Sequence, residues 1–219
     1  MVKKILRLFN KDFGNVHHAA ILLGVATLIS QILGLVRDRI LASSIGPSVT
    51  LDTYYAAFRI PDLIFVTVAS LASVTAVAPI LARYFKENKG EKEIKEARIF
   101  LGDCLVFFSL LLILCGALVY LLMPQLSYLI APGFSDSARH TLIETSRIML
   151  LSPILLGLSN LLGSVTQLFR RFTIYALSPI LYNIGIIIGV TILYPHFGVY
   201  GLAYGVVIGA VLHVAIQIP

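Results

Sequence analysis

Apolar residues come in long runs along this chain, broken by short clusters of charge, glycine and proline. The runs predict six helices, at about 19–44, 53–85, 99–123, 140–169, 173–194 and 199–218. A helix needs about 20 apolar residues to cross a hydrocarbon core roughly 30 Å thick, and each run meets or approaches that length. The breakers fit as well: Gly46-Pro47, Pro124, Pro132-Gly133, Arg170-Arg171 and the stretch YPHFG at 194–198 lie between or at the ends of runs. Asp52 stands where an N-cap of the second helix is expected. That helix, at about 50 Å if straight, exceeds the core and is expected to tilt, bend or project, with Pro61 and Pro79 as kink points. Gly34 weakens the first helix just before a charged turn and marks an expected bend. The connector PQLSYLIAPGFSDSARH is expected along the outer membrane–water boundary. Gly185-xxx-Gly189 and Gly201-xxx-Gly205-xxx-Gly209 let helix backbones approach closely. We expect them to pack within the bundle.

Composition makes the class explicit. The chain is 58% hydrophobic and only 13% charged, where an ordinary soluble domain carries about 25% charged residues. A soluble fold would lack the polar surface to cover itself, so the expectation is an all-α polytopic membrane protein. Tryptophan is absent, leaving tyrosine and phenylalanine to mark the interfaces. Residues 1–18 form a basic lead with Lys3, Lys4, Arg7 and Lys11. The apolar run behind it continues too far for a cleaved signal peptide. Segments 1–18, 83–98 and 170–171 hold four, six and two of the seventeen Lys and Arg residues. By the positive-inside rule these face the cytoplasm, with the amino terminus inside. Residues 83–98, RYFKENKGEKEIKEAR, read as a solvated cytoplasmic helix or as a docking surface for a partner or anionic lipid. His17 and His18 read as interfacial residues. Cys104 and Cys115, eleven positions apart on one helix, sit about 16 Å apart along the axis and cannot form a disulfide with each other. No CxxC, HExxH or P-loop pattern occurs, no nucleophile–base or metal constellation appears, and no enzyme activity, cofactor, metal or nucleic-acid partner is expected.

What remains is charge where a membrane chain should avoid it. Residues 34–62, GLVRDRILASSIGPSVTLDTYYAAFRIPDL, carry Arg37, Asp38, Arg39, Asp52, Arg59 and Asp62. Arg147 also falls inside a span. An ionisable group at membrane depth costs about 2.5–3.5 kcal/mol on insertion scales and survives by facing a watery cavity, pairing or meeting a charged cargo. Arginine stays charged and presents a planar fork suited to phosphate. One reading makes Arg37, Asp38, Arg59 and Asp62 part of the lining of a substrate cavity for an anionic cargo, with the carboxylates Asp38, Asp52 and Asp62 able to close a gate by ion pairing across its outer mouth. The carboxylates would hold the arginines when the cavity is empty. The other makes these charges internal ion pairs fixing helix 1 against helix 2. Arg59 and Asp62, three apart, share a face and are expected to pair.

LGLVRDRILASSIG followed by DTYYAAFRIPDL resembles the first two helices of the MurJ (MviN) lipid II flippases, of the multidrug/oligosaccharidyl-lipid/polysaccharide exporter superfamily. The resemblance continues through APILARYF at 78–85, IAPGFSDSARHTLIETSRIMLLSPILLGLSNLLGS at 130–164 and RRFTIYALSPILYNIGIIIG at 170–189. It implies about fourteen helices in two lobes around a cationic cavity, working by alternating access. The implied cargo is the undecaprenyl-pyrophosphate-linked peptidoglycan precursor (lipid II) and the implied location the bacterial cytoplasmic (inner) membrane. The arginine matching Arg37 lines the cavity in that family. The acids matching Asp38 and Asp52 are implicated too, the latter near the outer gate, and Arg59 matches a usually basic position. The chain departs from the pattern at Gln31, at Phe65 and Val66, and at Ser70 and Leu71, where the family commonly carries further cavity arginines and a Glu-Gly. Six helices match only the amino-terminal lobe of a MOP/MATE-like transporter, so a truncated chain lacking the C-terminal lobe is expected. Competing readings are another polyprenyl-linked polysaccharide exporter, a MATE-type antiporter, or a non-transporting membrane scaffold acting through residues 83–98.

Overall fold

Prolines decide how this sequence is cut into helices, and they cut it less often than their positions suggest. A computed structural model describes residues 16–69 and 91–218. The basic lead ahead of Val16, Ser70, Leu71, Pro79 and the hydrophilic stretch as far as residue 90 lie outside the described residues. The elements are α1 (Val16–Ile45), α2 (Val49–Ile64, widening into a π turn at Phe65–Ala69), α3 (Glu91–Ile130), α4 (Asp136–Met149), α5 (Leu151–Leu168), α6 (Phe172–Ile188, with a π turn at Gly189–Leu193), α7 (Tyr194–Phe197) and α8 (Val199–Ala215). Because α4 runs on into α5, and α6 into α7, the described residues form six helical rods and no strand. Four rods, at His17–Ile45, Lys95–Ile130, Asp136–Gln167 and Phe172–Phe197, are long and apolar enough to cross a bilayer, and Val199–Ala215 is a shorter apolar helix. The chain is a multi-pass membrane protein.

Pro124 was expected to end the third helix, yet α3 continues to Ile130. A proline removes one N–H and frees the carbonyl four residues earlier. Here the freed Tyr120 carbonyl accepts a hydrogen bond from Arg147 Nε at 3.3 Å. The same repair recurs with a serine placed just before the proline. Ser152 donates to the Met149 carbonyl beside Pro153 at 2.8 Å. Ser178 donates to the Tyr175 carbonyl beside Pro179 at 2.7 Å. With the orphaned acceptor satisfied, a helix in hydrocarbon tolerates its proline. The connector after α3 therefore shrinks to residues 131–135.

Two further expectations are corrected. The N-cap of α2 is Ser48, whose hydroxyl accepts from Leu51 N at 3.3 Å, while Asp52 lies in the first turn and faces the helix dipole. Nor does α1 unwind at Gly34; it is helical throughout, and a Cβ there would stand 3.9 Å from Asn183 Oδ1. The break comes at Gly46, whose φ of +68° ends α1 in the left-handed region that glycine enters freely.

The bundle is built around α8, which is apolar on every side and therefore central. Leu202, Ala203, Val206 and Ala210 on it are fully buried. Its glycine stripe meets that of α6 backbone to backbone. A Cβ at Gly189 would lie 2.6 Å from Gly205 Cα, and one at Gly185 would overlap Gly209. The small-residue motifs thus serve packing inside the bundle, as expected. Helix α1 packs along α6 and touches α2 little, so the first two helices stand apart over much of their length. Cys104 and Cys115 are both free. Large apolar side chains such as Leu28, Leu35, Leu114 and Leu129 point outward from α1 and α3.

Candidate functional site: a charged hollow between the first two helices

The gap between α1 and α2 is where the misplaced charges converge. On α1, Arg37, Asp38 and Leu41 fall on one face by their three- and four-residue spacing. Asp52, Tyr55, Arg59 and Asp62 repeat the same spacing along α2. The α1 stripe and the Tyr55, Arg59 and Asp62 part of the α2 stripe, with Tyr54, Phe58 and Tyr182 of α6, line a hollow of about 390 Å³. A second hollow of about 450 Å³ adjoins it. This one is lined by Asp52, Tyr55, Ala56 and Arg59 of α2 together with Ile130, Ala131, Gly133 and Phe134 at the end of α3 and in the loop beyond. Tyr55 and Arg59 belong to both. All five residues singled out by sequence, Arg37, Asp38, Asp52, Arg59 and Asp62, therefore border one or other of two hollows that share Tyr55 and Arg59. Arg39 is exposed and borders neither hollow.

The guanidinium of Arg37 is held from two sides. Its Nε contacts Asp38 Oδ1 at 2.9 Å and its Nη1 donates to Asn183 Oδ1 at 3.1 Å. Asn183, 7% exposed, is fixed in turn. Its Nδ2 donates to the Ser30 carbonyl at 3.2 Å, the Ser30 hydroxyl at 3.1 Å and the Pro179 carbonyl at 3.1 Å. One amide thus clamps α1 to α6 and aims Arg37. The remaining Nη2 has no hydrogen-bond partner among the described residues, and it belongs to a side chain that lines the hollow.

Arg59 is set differently. It does not pair with Asp62; its Nη1 donates to the Ile130 carbonyl at the C-terminal end of α3, 3.2 Å away. A cation is favoured there by the helix dipole. Asp52 and Asp62 have no ion-pair partner among the described residues. No arginine of α1 pairs with a carboxylate of α2, or the reverse, among the described residues. The ion-pair reading of these charges, in which they pin helix 1 to helix 2, therefore fails; Asn183 and α6 hold α1 instead.

The wall is aromatic. Tyr54 meets Phe58 edge-on at 5.0 Å and Tyr55 at 5.7 Å. Behind the second hollow, the loop at 131–135 is fastened by Arg139, 7% exposed, whose Nη2 donates to the Phe134 carbonyl at 3.1 Å and the Pro132 carbonyl at 3.5 Å. Its guanidinium stacks 3.8 Å above the Tyr128 ring. In the sequence Arg139 falls within the connector PQLSYLIAPGFSDSARH, and no motif singles out Asn183, Tyr54, Tyr55 or Tyr182. A lone asparagine inside the apolar run ILYNIGIII was the available signal, since polar residues in a membrane span are functional by default.

Such a site offers guanidinium N–H groups for phosphate or carboxylate oxygens, carboxylates able to accept from hydroxyl or ammonium groups, and ring faces for apolar or sugar surfaces. Phe65 and Val66, where further arginines were noted as missing, lie in the π turn after α2.

Comparison with known proteins gives this geometry a family. The model of the family described as "Lipid II flippase MurJ" matches residues 41–219. A probable lipid II flippase MurJ of Buchnera aphidicola (subspecies Acyrthosiphon pisum) is 34% identical over 197 residues, 88% of this chain and 38% of that protein. A solved structure of a lipid II flippase MurJ in an inward closed conformation superposes with a TM-score of 0.70 at 28% identity, covering 89% of this chain and 40% of the other. A MOP-superfamily transporter of Pyrococcus furiosus, 17% identical, gives a TM-score of 0.65 over 96% of this chain and 45% of its own, a likeness of fold alone. The chain thus spans about two-fifths of the length of the MurJ proteins it matches. With a family match over residues 41–219 and a six-rod bundle that superposes on a solved MurJ, this chain belongs to the lipid II flippase MurJ family.

Proposed function

We propose that these residues form the amino-terminal lobe of a transporter, not an enzyme, that moves lipid II, the undecaprenyl-pyrophosphate-linked peptidoglycan precursor, across the bacterial cytoplasmic membrane by alternating access. In this reading residues 1–18 are a basic cytoplasmic lead and 19–219 a six-helix lobe that works against a second lobe supplied by the rest of a full-length protein. The distribution of Lys and Arg supports a cytoplasmic amino terminus.

The observation that carries the proposal is that Arg37 and Arg59, from two helices that barely touch, border one hollow. Arg37 and Arg59 bind the pyrophosphate, a planar fork on a phosphate oxygen being among the stronger hydrogen-bonded pairs. Asp38 holds Arg37 when no cargo is present, at 2.9 Å, and gives it up when phosphate arrives. Asp62 accepts from the cargo's hydroxyl groups. Asp52, in the first turn of α2 and lining the second hollow, acts at the outer gate.

The test is precursor translocation by the full-length protein in proteoliposomes. Arg37→Ala and Asp52→Ala should each abolish it while membrane insertion stays intact. Wild-type rates in both variants would refute the assignment.

A further inference from the structure

Arg147 lies inside a span but away from the charged hollow, and it stands at the end of a different groove. Between α3 and α5 an outward-facing groove of about 540 Å³ is lined by Ile113, Gly116 and Tyr120 on one side and Leu150, Leu151 and Ile154 on the other, with Arg147 alone supplying charge. The two helices run antiparallel, so Arg147 and Tyr120 share one end and Ile113 and Ile154 the other. From end to end this is about 10 Å, two turns of helix. The charged end lies where the rod changes character: α4 carries Asp136, Arg139, His140, Glu144 and Arg147, whereas α5 is apolar from Leu151 onward. Polar head and apolar channel therefore follow one another in the order that a bilayer imposes on its own lipids.

The head is a pair of opposite charges. Arg147 Nη1 meets Glu144 Oε1 at 2.9 Å, its Nε is committed to the Tyr120 carbonyl, and its guanidinium lies 4.4 Å above the Tyr120 ring. Its Nη2 has no hydrogen-bond partner among the described residues. The Glu144 side chain is 40% exposed, leaving its second oxygen open to a ligand. A purely anionic ligand would meet repulsion from Glu144. A ligand carrying both a phosphate and an ammonium a few bonds apart would satisfy both.

We infer that this groove is a binding site for a zwitterionic phospholipid of the phosphoethanolamine type, its phosphate on Arg147, its ammonium on Glu144 and one acyl chain along Gly116, Leu151 and Ile154. Bound there, the lipid fills the groove between α3 and α5.

The chain has no tryptophan, so a single one reports locally. Leu121→Trp places it on the groove wall; Phe107→Trp, exposed on the same helix, lies outside the groove. The full chain is reconstituted in phosphatidylcholine vesicles containing brominated phosphatidylethanolamine, phosphatidylcholine or phosphatidylglycerol. At position 121 half-maximal quenching by the brominated ethanolamine lipid should need about a tenfold lower mole fraction than by the others, the ratio one charge-assisted hydrogen bond supplies. Glu144→Gln and Arg147→Gln should each erase that preference, and position 107 should show none. Equal quenching by all three lipids, the same preference at 107, or a preference for phosphatidylglycerol that Glu144→Gln strengthens would overturn the assignment. Glu144→Gln touches only a half-exposed side chain and keeps the test informative where Arg147→Gln fails to fold.

Discussion

Replacing Asn183 by leucine removes one amide that makes four hydrogen bonds, three of them to α1: Ser30 carbonyl, Ser30 hydroxyl and Arg37 Nη1. Polar contacts between membrane helices average about 0.6 kcal/mol by double-mutant cycles and reach about 1.7. Three of them amount to roughly 2 kcal/mol, about a thirtyfold shift in the folding equilibrium. Leucine keeps the branching at Cγ and leaves no cavity, but its greater bulk adds an overpacking cost to this loss. Reversible unfolding in mixed micelles, followed by circular dichroism, measures the loss. The informative quantity is the cycle built from Asn183→Leu, Arg37→Ala and the double variant. The 3.1 Å bond between the two side chains predicts a coupling of about 0.6–1.7 kcal/mol. Asparagine as the clamp also predicts that Ser30→Ala costs less than Asn183→Leu, because one hydroxyl contact is lost rather than three contacts. Additivity of Asn183→Leu and Arg37→Ala within about 0.3 kcal/mol would refute the claim that Asn183 aims the guanidinium.

Other expectations follow from the same structure. Gly205→Leu should prevent stable assembly of α6 on α8, since even a Cβ there would collide with the Gly189 backbone, whereas Gly24→Ala, with open space around it, should raise helix stability by up to about 1 kcal/mol; thermal unfolding in detergent distinguishes them. Ser178→Ala should cost about 1 kcal/mol by orphaning the Tyr175 carbonyl, and Ser178→Ala combined with Pro179→Ala should recover it, because alanine restores the N–H that the proline lacks. Equal stability of Ser178→Ala and wild type would show that the carbonyl finds another partner.

The architecture was readable because membrane helices announce themselves by length and apolarity. Six apolar runs gave six rods, and the resemblance carried by LGLVRDRILASSIG and DTYYAAFRIPDL pointed to the family that the chain belongs to. Helix ends were less readable. Pro124 looks like a terminator until Arg147, 23 residues later, reaches its orphaned carbonyl, a contact that no local rule supplies. The charges of the site were legible individually, since a bilayer makes every internal arginine conspicuous. Their partners were not. Arg59 and Asp62 share a helix face, but that face opens onto a hollow and onto the end of α3, so Arg59 takes the Ile130 carbonyl instead of the nearby acid. Asn183 stands out in its apolar run, but its partners depend on α1 lying against α6 rather than α2, a matter of tertiary packing.

The central claim is that Arg37 and Arg59 together recognise a phosphorylated lipid head, and equilibrium binding tests it most directly. Fluorescent undecaprenyl-pyrophosphate-linked precursor is titrated against the full-length protein and its Arg37→Ala, Arg59→Ala and doubly substituted forms. Each single loss should weaken binding about tenfold or more, the worth of one charge-assisted hydrogen bond, and the double loss should leave no saturable binding. Unchanged affinity in the double variant, with the fold retained, would contradict the account.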